Sequence, residues 1–310
     1  MKKRNFLLNT LTLFLCLMAG SCSQTKKQTG EQQVDFGKLD IYKAFPSQHF
    51  TPRDVLVWTP EEYNKQQKYA VVYMHDGQML FDKRTSWNKQ SWNVDSVACA
   101  LQKQGKVKPF IVVGINNGPS RPYDYVSKKI LDYIPEGDTL LAKHNKELYV
   151  ADNYLKYLVE EVKPFIDSHY STLSDKENTI VMGSSLGGVI SLYAICEYPD
   201  VFGGAGCIST HSSMILENAP QEAPIWAKSL RDYLSDHMPP VNGNKIYMDR
   251  GDQTIDAAYI PFQPLIDQQF TEMGWDATHF RTLVFPGAAH DEISWEARLH
   301  IPLTFLLGEE

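Results

Sequence analysis

Short apolar runs bounded by turn residues recur along the chain, and most of them are continuous rather than alternating. Continuous apolar runs are typical of strands that are covered on both faces of a sheet. The pattern therefore predicts seven buried strands. They lie at residues 54–58, 69–74, 110–115, 179–182, 206–208, 245–248 and 280–285.

Helical periodicity occupies the segments between these runs. It is clearest at residues 153–166, where apolar residues from Leu155 to Ile166 share one face and Lys156 and Glu160 lie on the other. Four further helices are predicted, at residues 94–104, 186–197, 260–273 and 294–307. Strands that alternate with helices of this length predict an α/β fold, with a mostly parallel central sheet and helices on both faces.

One long stretch, residues 116–150, has no clean period. We interpret it as an irregular excursion at the carboxyl side of the sheet, where folds of this class bind ligands. The length of 310 residues and the hydrophobic share of 43% favour one principal domain. A formal charge of -7 disfavours a nucleic-acid partner.

The N-terminus has the order of an export signal: three basic residues, an apolar run at residues 6–18 and then small residues leading to Cys22. The run is too short to span a bilayer. We predict a lipoprotein-type signal peptide at residues 1–21, with Cys22 lipidated and the exported protein anchored to a membrane. Plain secretion, with Cys22 incidental, is the alternative.

A polar stretch without large apolar residues follows the signal, and we predict that residues 22–33 form a tether and residues 34–310 a single domain. The domain contains three cysteines, Cys99, Cys196 and Cys207. Their odd number permits at most one disulfide, and their apolar neighbours favour buried free thiols. No spacing of cysteine and histidine indicates a zinc site.

The most informative motif is the run from Gly183 to Gly187, which has the pattern Gly-x-Ser-x-Gly between a predicted strand and a predicted helix. The glycines permit a sharp turn that exposes Ser185 at the helix N-terminus, and the Leu186 amide is then placed to donate to an oxyanion. We predict that Ser185 is a nucleophile.

A serine nucleophile requires a histidine base and a carboxylate that orients it. His290 follows the last predicted strand and precedes the last helix, which is the expected place for that base. The loop after the strand at 245–248 offers three carboxylates, those of Asp249, Asp252 and Asp256. Spacing alone does not choose among them, and Asp249 has a structural alternative as a partner of Arg250 or a turn cap.

A second oxyanion donor is expected in the loop after an earlier strand, where Gly77 or Gln78 can supply a backbone amide. His75 and Asp76 stand beside them, but no third ligand follows at a metal-binding spacing. We therefore predict no metal site here.

Four segments together resemble the esterase family of α/β hydrolases, which includes enterochelin esterases, feruloyl and acetyl xylan esterases and S-formylglutathione hydrolases. They are His75-Asp-Gly-Gln-Met-Leu-Phe-Asp82, Gly114-Ile-Asn-Asn-Gly118, Gly183-Ser-Ser-Leu-Gly-Gly188 and the late His290. The resemblance runs from about Val34 to Leu307 and implies an α/β-hydrolase fold with a Ser-Asp-His triad and no cofactor.

Within that resemblance, Ser185 and His290 match the nucleophile and the base of the family. Relatives with a Gly-Thr-x-Thr-Leu-Asp run place the acid at its closing Asp, which corresponds to Asp256. This chain has Asp252 where those relatives have Thr, so Asp252 remains the alternative acid.

The resulting hypothesis is hydrolysis of a small-molecule or oligosaccharide ester through an acyl-enzyme. The favoured reaction is the removal of acetyl or feruloyl groups from carbohydrate. A siderophore esterase of the enterochelin type and a non-catalytic binding lipoprotein are the alternatives. Candidate substrate contacts are Asn117, Arg121, Tyr125, His211 and Trp226, with Trp87 and Trp92 as further members of an aromatic platform.

Overall fold

The computed structural model of the chain describes residues 27–28, 32–214 and 220–308. The predicted signal peptide, residues 1–21, and the predicted lipidation site, Cys22, lie outside them. Part of the predicted tether lies against the domain instead of standing free: strand β1, Lys27–Gln28, pairs with the next strand, and the Gln33 amide donates to Asp82 at 3.0 Å. Backbone hydrogen bonds of this kind need no apolar side chains, so the polar composition did not reveal them.

The described residues form one sheet of nine strands, in the order β1-β2-β3-β5-β4-β6-β7-β8-β9. The pairs from β1 to β5 through β2 and β3 are antiparallel, and all the pairs from β5 to β9 are parallel. The strands after β1 are β2 Lys38–Phe45, β3 Arg53–Thr59, β4 Ala70–His75, β5 Phe110–Ile115, β6 Thr179–Ser184, β7 Gly204–Ile208, β8 Lys245–Arg250 and β9 Phe280–Val284. The predicted α/β fold with a mostly parallel sheet is confirmed.

The sequence pattern missed β2, because its polar and apolar residues alternate and it pairs with β3 near the edge of the sheet. All seven predicted strands are present. The seventh ends at Val284, one residue before its predicted end.

Helices cover both faces of this sheet. They are α1 Val94–Lys103, α2 Arg121–Tyr125, α3 Lys128–Leu131, α4 Thr139–Lys143, α5 Ala151–Lys156, α6 Lys163–His169, α7 Leu186–Glu197, α8 Ala223–His237, α9 Gln263–Glu272, α10 Glu292–Arg298 and α11 His300–Leu307. A π-helical segment, Tyr157–Val162, joins α5 to α6. The helix predicted at 153–166 is therefore one continuous helical element from 151 to 169.

The structure differs from the predicted helices in three places. The helix predicted at 294–307 is divided at Leu299, and Pro302 stands in the first turn of α11, where its missing N–H costs nothing. The helix predicted from 260 begins at Gln263, after a 3-10 segment at Thr254–Tyr259. Helix α8 was not predicted.

The stretch at 116–150 is more ordered than its lack of period suggested. It contains α2, α3, α4 and a short 3-10 turn, and it buries large side chains, among them Tyr125, Ile130, Leu140 and Tyr149. Helices of four or five residues are too short to show a 3.6-residue period, which explains why the pattern looked irregular.

The core has two layers, one on each face of the sheet. One layer packs α5 to α9 against the strands, and the other packs α1, α10 and α11 against the opposite face. Cys99, Cys196 and Cys207 are free thiols. No helix in the described ranges combines the length and the apolar character needed to cross a membrane.

Candidate active site

Ser185 occupies a strained turn between β6 and α7. Its backbone angles are φ 60° and ψ -122°, a combination that L-residues rarely adopt. A Cβ on Gly183 would lie 3.0 Å from backbone atoms of Gly187, and a Cβ on Gly188 would lie 2.6 Å from Oγ1 of Thr210. The small residues therefore allow β6, α7 and the loop after β7 to meet, and this close packing holds the serine in its turn.

Backbone hydrogen bonds fix the turn to the neighbouring strand. The Ser185 amide donates to the Ile208 carbonyl at 2.9 Å, and the His211 amide donates to the Ser185 carbonyl at 3.1 Å. Ser185 is thus anchored to the carboxyl end of β7 on both sides of its Cα.

His290 lies between β9 and α10, and a buried carboxylate contacts its ring. Its Nδ1 is 2.6 Å from Oδ1 of Asp256, and its amide donates to Oγ1 of Thr254 at 2.8 Å. The segment Thr254–Tyr259 therefore contacts both the backbone and the side chain of this histidine.

The second oxygen of Asp256 is also occupied. Oδ2 accepts hydrogen bonds from the Ser209 hydroxyl at 2.7 Å and from the Gly251 amide at 2.5 Å. Burial by itself would raise the pKa of Asp256, but the hydrogen bonds from His290, Ser209 and Gly251 outweigh it, and the pKa lies below its ordinary value. The carboxylate is held in its ionised form.

The other two candidate acids point elsewhere. Asp252 accepts hydrogen bonds from the Gly287 amide at 2.8 Å and from the Gln253 side chain at 2.7 Å, and it is partly exposed. Asp249 is buried and pairs with Arg298, with Nη2 to Oδ1 at 3.1 Å. Asp256 is therefore the member of the loop that contacts His290, and the Arg250 partner considered for Asp249 is replaced by Arg298.

Ser185 and His290 line the same cavity of about 410 Å³. The described hydrogen bonds include none between the Ser185 hydroxyl and the His290 ring, and such bonds are often long before substrate binds. The remaining lining residues come from the ends of β4 and β6, from the loops after β4, β5 and β8, and from α2 and α10. They are His75, Asp76, Met79, Trp87, Asn88, Trp92, Asn117, Gly118, Arg121, Ser184, Ile255, Glu292 and Trp295.

The three predicted oxyanion donors lie at the starts of helical turns. Leu186 is the first residue of α7, and Gly77 and Gln78 open a 3-10 turn after β4, where amides have no intrahelical acceptor. A Cβ on Gly77 would lie 2.9 Å from the Gly114 carbonyl carbon, so β5 approaches this turn closely. The role of these amides stays a prediction.

The Asp76 carboxylate binds two of the predicted substrate contacts, Arg121 and Asn117. Arg121 binds its carboxylate with two hydrogen bonds, Nε to Oδ1 at 2.7 Å and Nη2 to Oδ2 at 2.6 Å, and Asn117 donates to Oδ1 at 2.5 Å. Burial would raise the pKa of Asp76, but Arg121 and Asn117 lower it overall. Arg121 and Asn117 line the cavity, with their polar groups directed at Asp76, and their contact with substrate stays a prediction.

Three other predicted contacts are not placed in the cavity. Tyr125 is buried and its hydroxyl donates to Asp76 at 3.2 Å. Trp226 is buried within α8 and packs edge-on against His144, with ring centroids 5.2 Å apart. His211 packs against Tyr259, with ring centroids 5.1 Å apart, and is absent from the lining. Burial of large aromatic surface explains Tyr125 and Trp226 without a ligand.

His75 is a buried histidine that is hydrogen-bonded within the protein. Its Nδ1 lies 2.7 Å from the Tyr154 hydroxyl, and burial lowers the pKa of its ring to about 4, against a smaller opposing effect of Asp76. No group of three or more potential metal-binding side chains occurs within residues 32–214 and 220–308.

Several residues of the site were not predicted from the sequence. Glu292 and Trp295 reach the cavity from the first turns of α10, and Tyr259 packs against the His290 ring with centroids 5.8 Å apart. Burial raises the pKa of Tyr259, and the Ser185 hydroxyl beside it acts in the opposite direction. The positions of Glu292 and Trp295 two and five residues after His290 are the one signal that proximity in sequence offered.

Residues 50–300 of the chain match the family described as "Putative esterase". An endo-1,4-beta-xylanase/feruloyl esterase of Xylanibacter ruminicola is 29% identical over 145 residues, which cover 47% of this chain and 17% of that protein. The ferri-bacillibactin esterase BesA of Bacillus subtilis is 25% identical over 146 residues, which cover 43% of this chain and 45% of that protein. Both matches cover less than two thirds of the relative's own length.

Among solved structures, a ferulic acid esterase superposes with a TM-score of 0.63 at 18% identity. The superposition covers 87% of this chain and 98% of that one. At this identity the likeness establishes the α/β-hydrolase fold and carries no statement about substrate.

Proposed function

The chain belongs to the esterase family of α/β hydrolases, and we propose that it hydrolyses carboxylic esters through a serine acyl-enzyme. One observation carries the proposal. Ser185, in its strained turn, and His290, paired with buried Asp256, line a single cavity at the carboxyl edge of the sheet. This is the arrangement that ester hydrolysis by a serine needs.

In the proposed reaction, the Ser185 hydroxyl attacks the ester carbonyl while Nε2 of His290 takes its proton. The ionised Asp256 accepts from Nδ1, so the proton of the neutral imidazole stays on Nδ1 and Nε2 keeps a free lone pair. His290 then returns the proton to the leaving alcohol, and water repeats the sequence to release the acid.

Negative charge develops on the carbonyl oxygen in both steps. The Leu186 amide and the amide of Gly77 or Gln78 are the proposed donors to this oxyanion. The Asn117 amide donates to the Gln78 side chain at 3.1 Å, which links the turn after β4 to the loop after β5. Preorganised amides of this kind lower the barrier because they need no reorientation during the reaction.

We propose that the substrate is an acylated carbohydrate, with an acetyl or feruloyl group. Support comes from the cavity wall, which includes Trp87, 79% exposed, and two largely buried tryptophans, Trp92 and Trp295, whose ring centroids are 5.3 Å apart. Indole faces pack against the apolar faces of sugar or aryl rings, and Asn88 and Glu292 beside them can hydrogen-bond hydroxyl groups.

A siderophore esterase is the second candidate, favoured by the similarity to the ferri-bacillibactin esterase. Such a substrate carries several negative charges. The Arg121 guanidinium is already paired with Asp76, and Glu292 adds a carboxylate to the wall whose described partner is the Asn88 amide. This charge distribution makes an uncharged ester the better fit.

We also propose that the protein is exported and anchored by a lipid at Cys22, on the sequence of residues 1–22 alone. Metabolic labelling with a radioactive fatty acid tests this directly. The expected result is label in the full chain and none in Cys22→Ser. Equal labelling of both would overturn the anchor.

The activity is tested by comparing wild-type protein with Ser185→Ala. Initial rates are measured on p-nitrophenyl acetate, methyl ferulate, acetylated xylo-oligosaccharide and enterochelin. We expect turnover to fall by about three to six orders of magnitude in the variant. A folded wild-type protein that hydrolyses none of these esters and is not labelled by a fluorophosphonate would contradict the proposal and favour a binding protein on the same fold.

A further inference from the structure

Ser209 lies at the carboxyl end of β7 and is fully buried beside the His290 and Asp256 pair. Its backbone has φ 41°, an uncommon value for a residue other than glycine. Its Oγ is 2.7 Å from Oδ2 of Asp256, whereas His290 contacts the other oxygen, Oδ1.

Two further side chains point at the same hydroxyl oxygen. Nε1 of Trp295 lies 2.9 Å from it and Nη2 of Arg298 lies 2.8 Å from it. Indole and guanidinium groups donate hydrogen bonds and cannot accept them, so both acceptor positions of the Ser209 oxygen are occupied. Its single proton is left with one acceptor, the Asp256 carboxylate.

The donors that impose this direction are themselves held in place. Arg298 binds Asp249 through Nε at 3.2 Å and Nη2 at 3.1 Å. Asp249 also accepts from the Ser209 amide at 3.0 Å and from the Tyr247 hydroxyl at 3.0 Å. The ends of β7 and β8 and helix α10 therefore fix both the backbone and the side chain of Ser209.

We propose that Ser209 is a positioning residue that holds the Asp256 carboxylate against His290. The inference rests on the proposed function, because it gives Asp256 and His290 their roles in ester hydrolysis. Ser209 touches neither the substrate nor Ser185 in this proposal. It acts through Asp256, whose second oxygen it binds while the first binds His290.

The test is a pair of substitutions measured on p-nitrophenyl acetate. Ser209→Ala removes the hydrogen bond to Asp256, and losing one hydrogen bond to a charged group should lower kcat by about 10- to 100-fold. KM should change little, since no substrate contact is lost. Ser212→Ala is the matched control, because Ser212 is also buried, three residues further on, and makes no hydrogen bond to Asp256.

A double-mutant cycle separates positioning from a general structural effect. If Ser209 acts through the Asp256 carboxylate, Ser209→Ala should change kcat little in an Asp256→Asn background. An equal fold-loss in both backgrounds, an unchanged kcat in wild type, or a loss that appears in KM alone would overturn the proposal.

Two controls keep the result interpretable. If Ser209→Ala fails to fold, as judged by thermal melting, Ser209→Cys takes its place, because a thiol fills similar space but donates only weakly. Failure of the proposed function is seen separately. In that case wild type and Ser185→Ala hydrolyse the ester at the same rate, so there is no Ser185-dependent activity for Ser209→Ala to lower.

Discussion

Nδ1 of His290 lies 2.6 Å from Oδ1 of Asp256, although the two residues are 34 positions apart in the chain. Four residues before Asp256, the Asp252 side chain turns to the Gly287 amide and to Gln253. One loop therefore presents two carboxylates with different partners, and the roles proposed for them can be tested separately.

Asp256→Asn should lower kcat by about three to four orders of magnitude, because an amide donor facing Nδ1 favours the wrong tautomer of His290. Asp252→Asn should keep most of the activity, since its partners are a loop amide and a neighbouring glutamine. Both are measured as kcat on p-nitrophenyl acetate at neutral pH. A larger loss in Asp252→Asn would reverse the assignment of the acid.

Glu292→Gln should make the cavity more tolerant of negatively charged esters. Burial raises the pKa of Glu292, so the comparison is made at pH 8, because a higher pH favours the ionised carboxylate. Removing one negative charge near a bound anion should raise kcat/KM for p-nitrophenyl hemisuccinate, relative to neutral p-nitrophenyl acetate, by about 10-fold.

Glu296→Gln is the control for that measurement, because Glu296 lies on the same helix and does not line the cavity. An unchanged ratio in Glu292→Gln, or an equal change in both variants, would show that Glu292 does not set the charge preference.

Gly183→Ala should destabilise the fold by about 1–3 kcal/mol and reduce activity, because the new Cβ meets backbone atoms of Gly187 at 3.0 Å. Gly187→Ala should leave stability unchanged or slightly higher. The nearest atom to its Cβ, an Asp76 oxygen, is at an ordinary 3.5 Å, and alanine favours the helix. Chemical denaturation of the two variants measures the difference, and equal destabilisation would contradict it.

His75 should make stability fall on acidification. Its pKa is about 4 in the folded protein and 6.5 as its ordinary value, so between these values the unfolded chain binds more protons. The contribution of neutral His75 to the free energy of unfolding is fully present above pH 6.5 and declines as the pH falls towards 4. The total loss amounts to about 3 kcal/mol.

His75→Gln should therefore flatten the dependence of the unfolding free energy on pH within that window. Urea titrations of the variant and the wild type at several pH values measure the slope. Identical slopes would mean that the histidine is not buried in its neutral form.

The sequence by itself determined the class of fold. Continuous apolar runs alternating with helical periods are a local property of the chain, and they predicted the parallel sheet and helices such as α1 and α7. It also predicted the turn at Ser185, because glycines around a serine between a strand and a helix are a local arrangement too. The same order of elements indicated His290 as the candidate base, because it lies after the last strand and before the last helices.

Tertiary structure decided what depends on distance between segments. The contact of His290 with Asp256 instead of Asp252 depends on how the loop after β8 folds against the segment between β9 and α10. The expectation that Trp226 lines a pocket was wrong because α8 buries it, and a tryptophan in the core and one in a cavity look alike in sequence. Ser209, Arg298 and Asp249 are far apart in the chain, and they meet only because helix α10 packs beside the ends of β7 and β8.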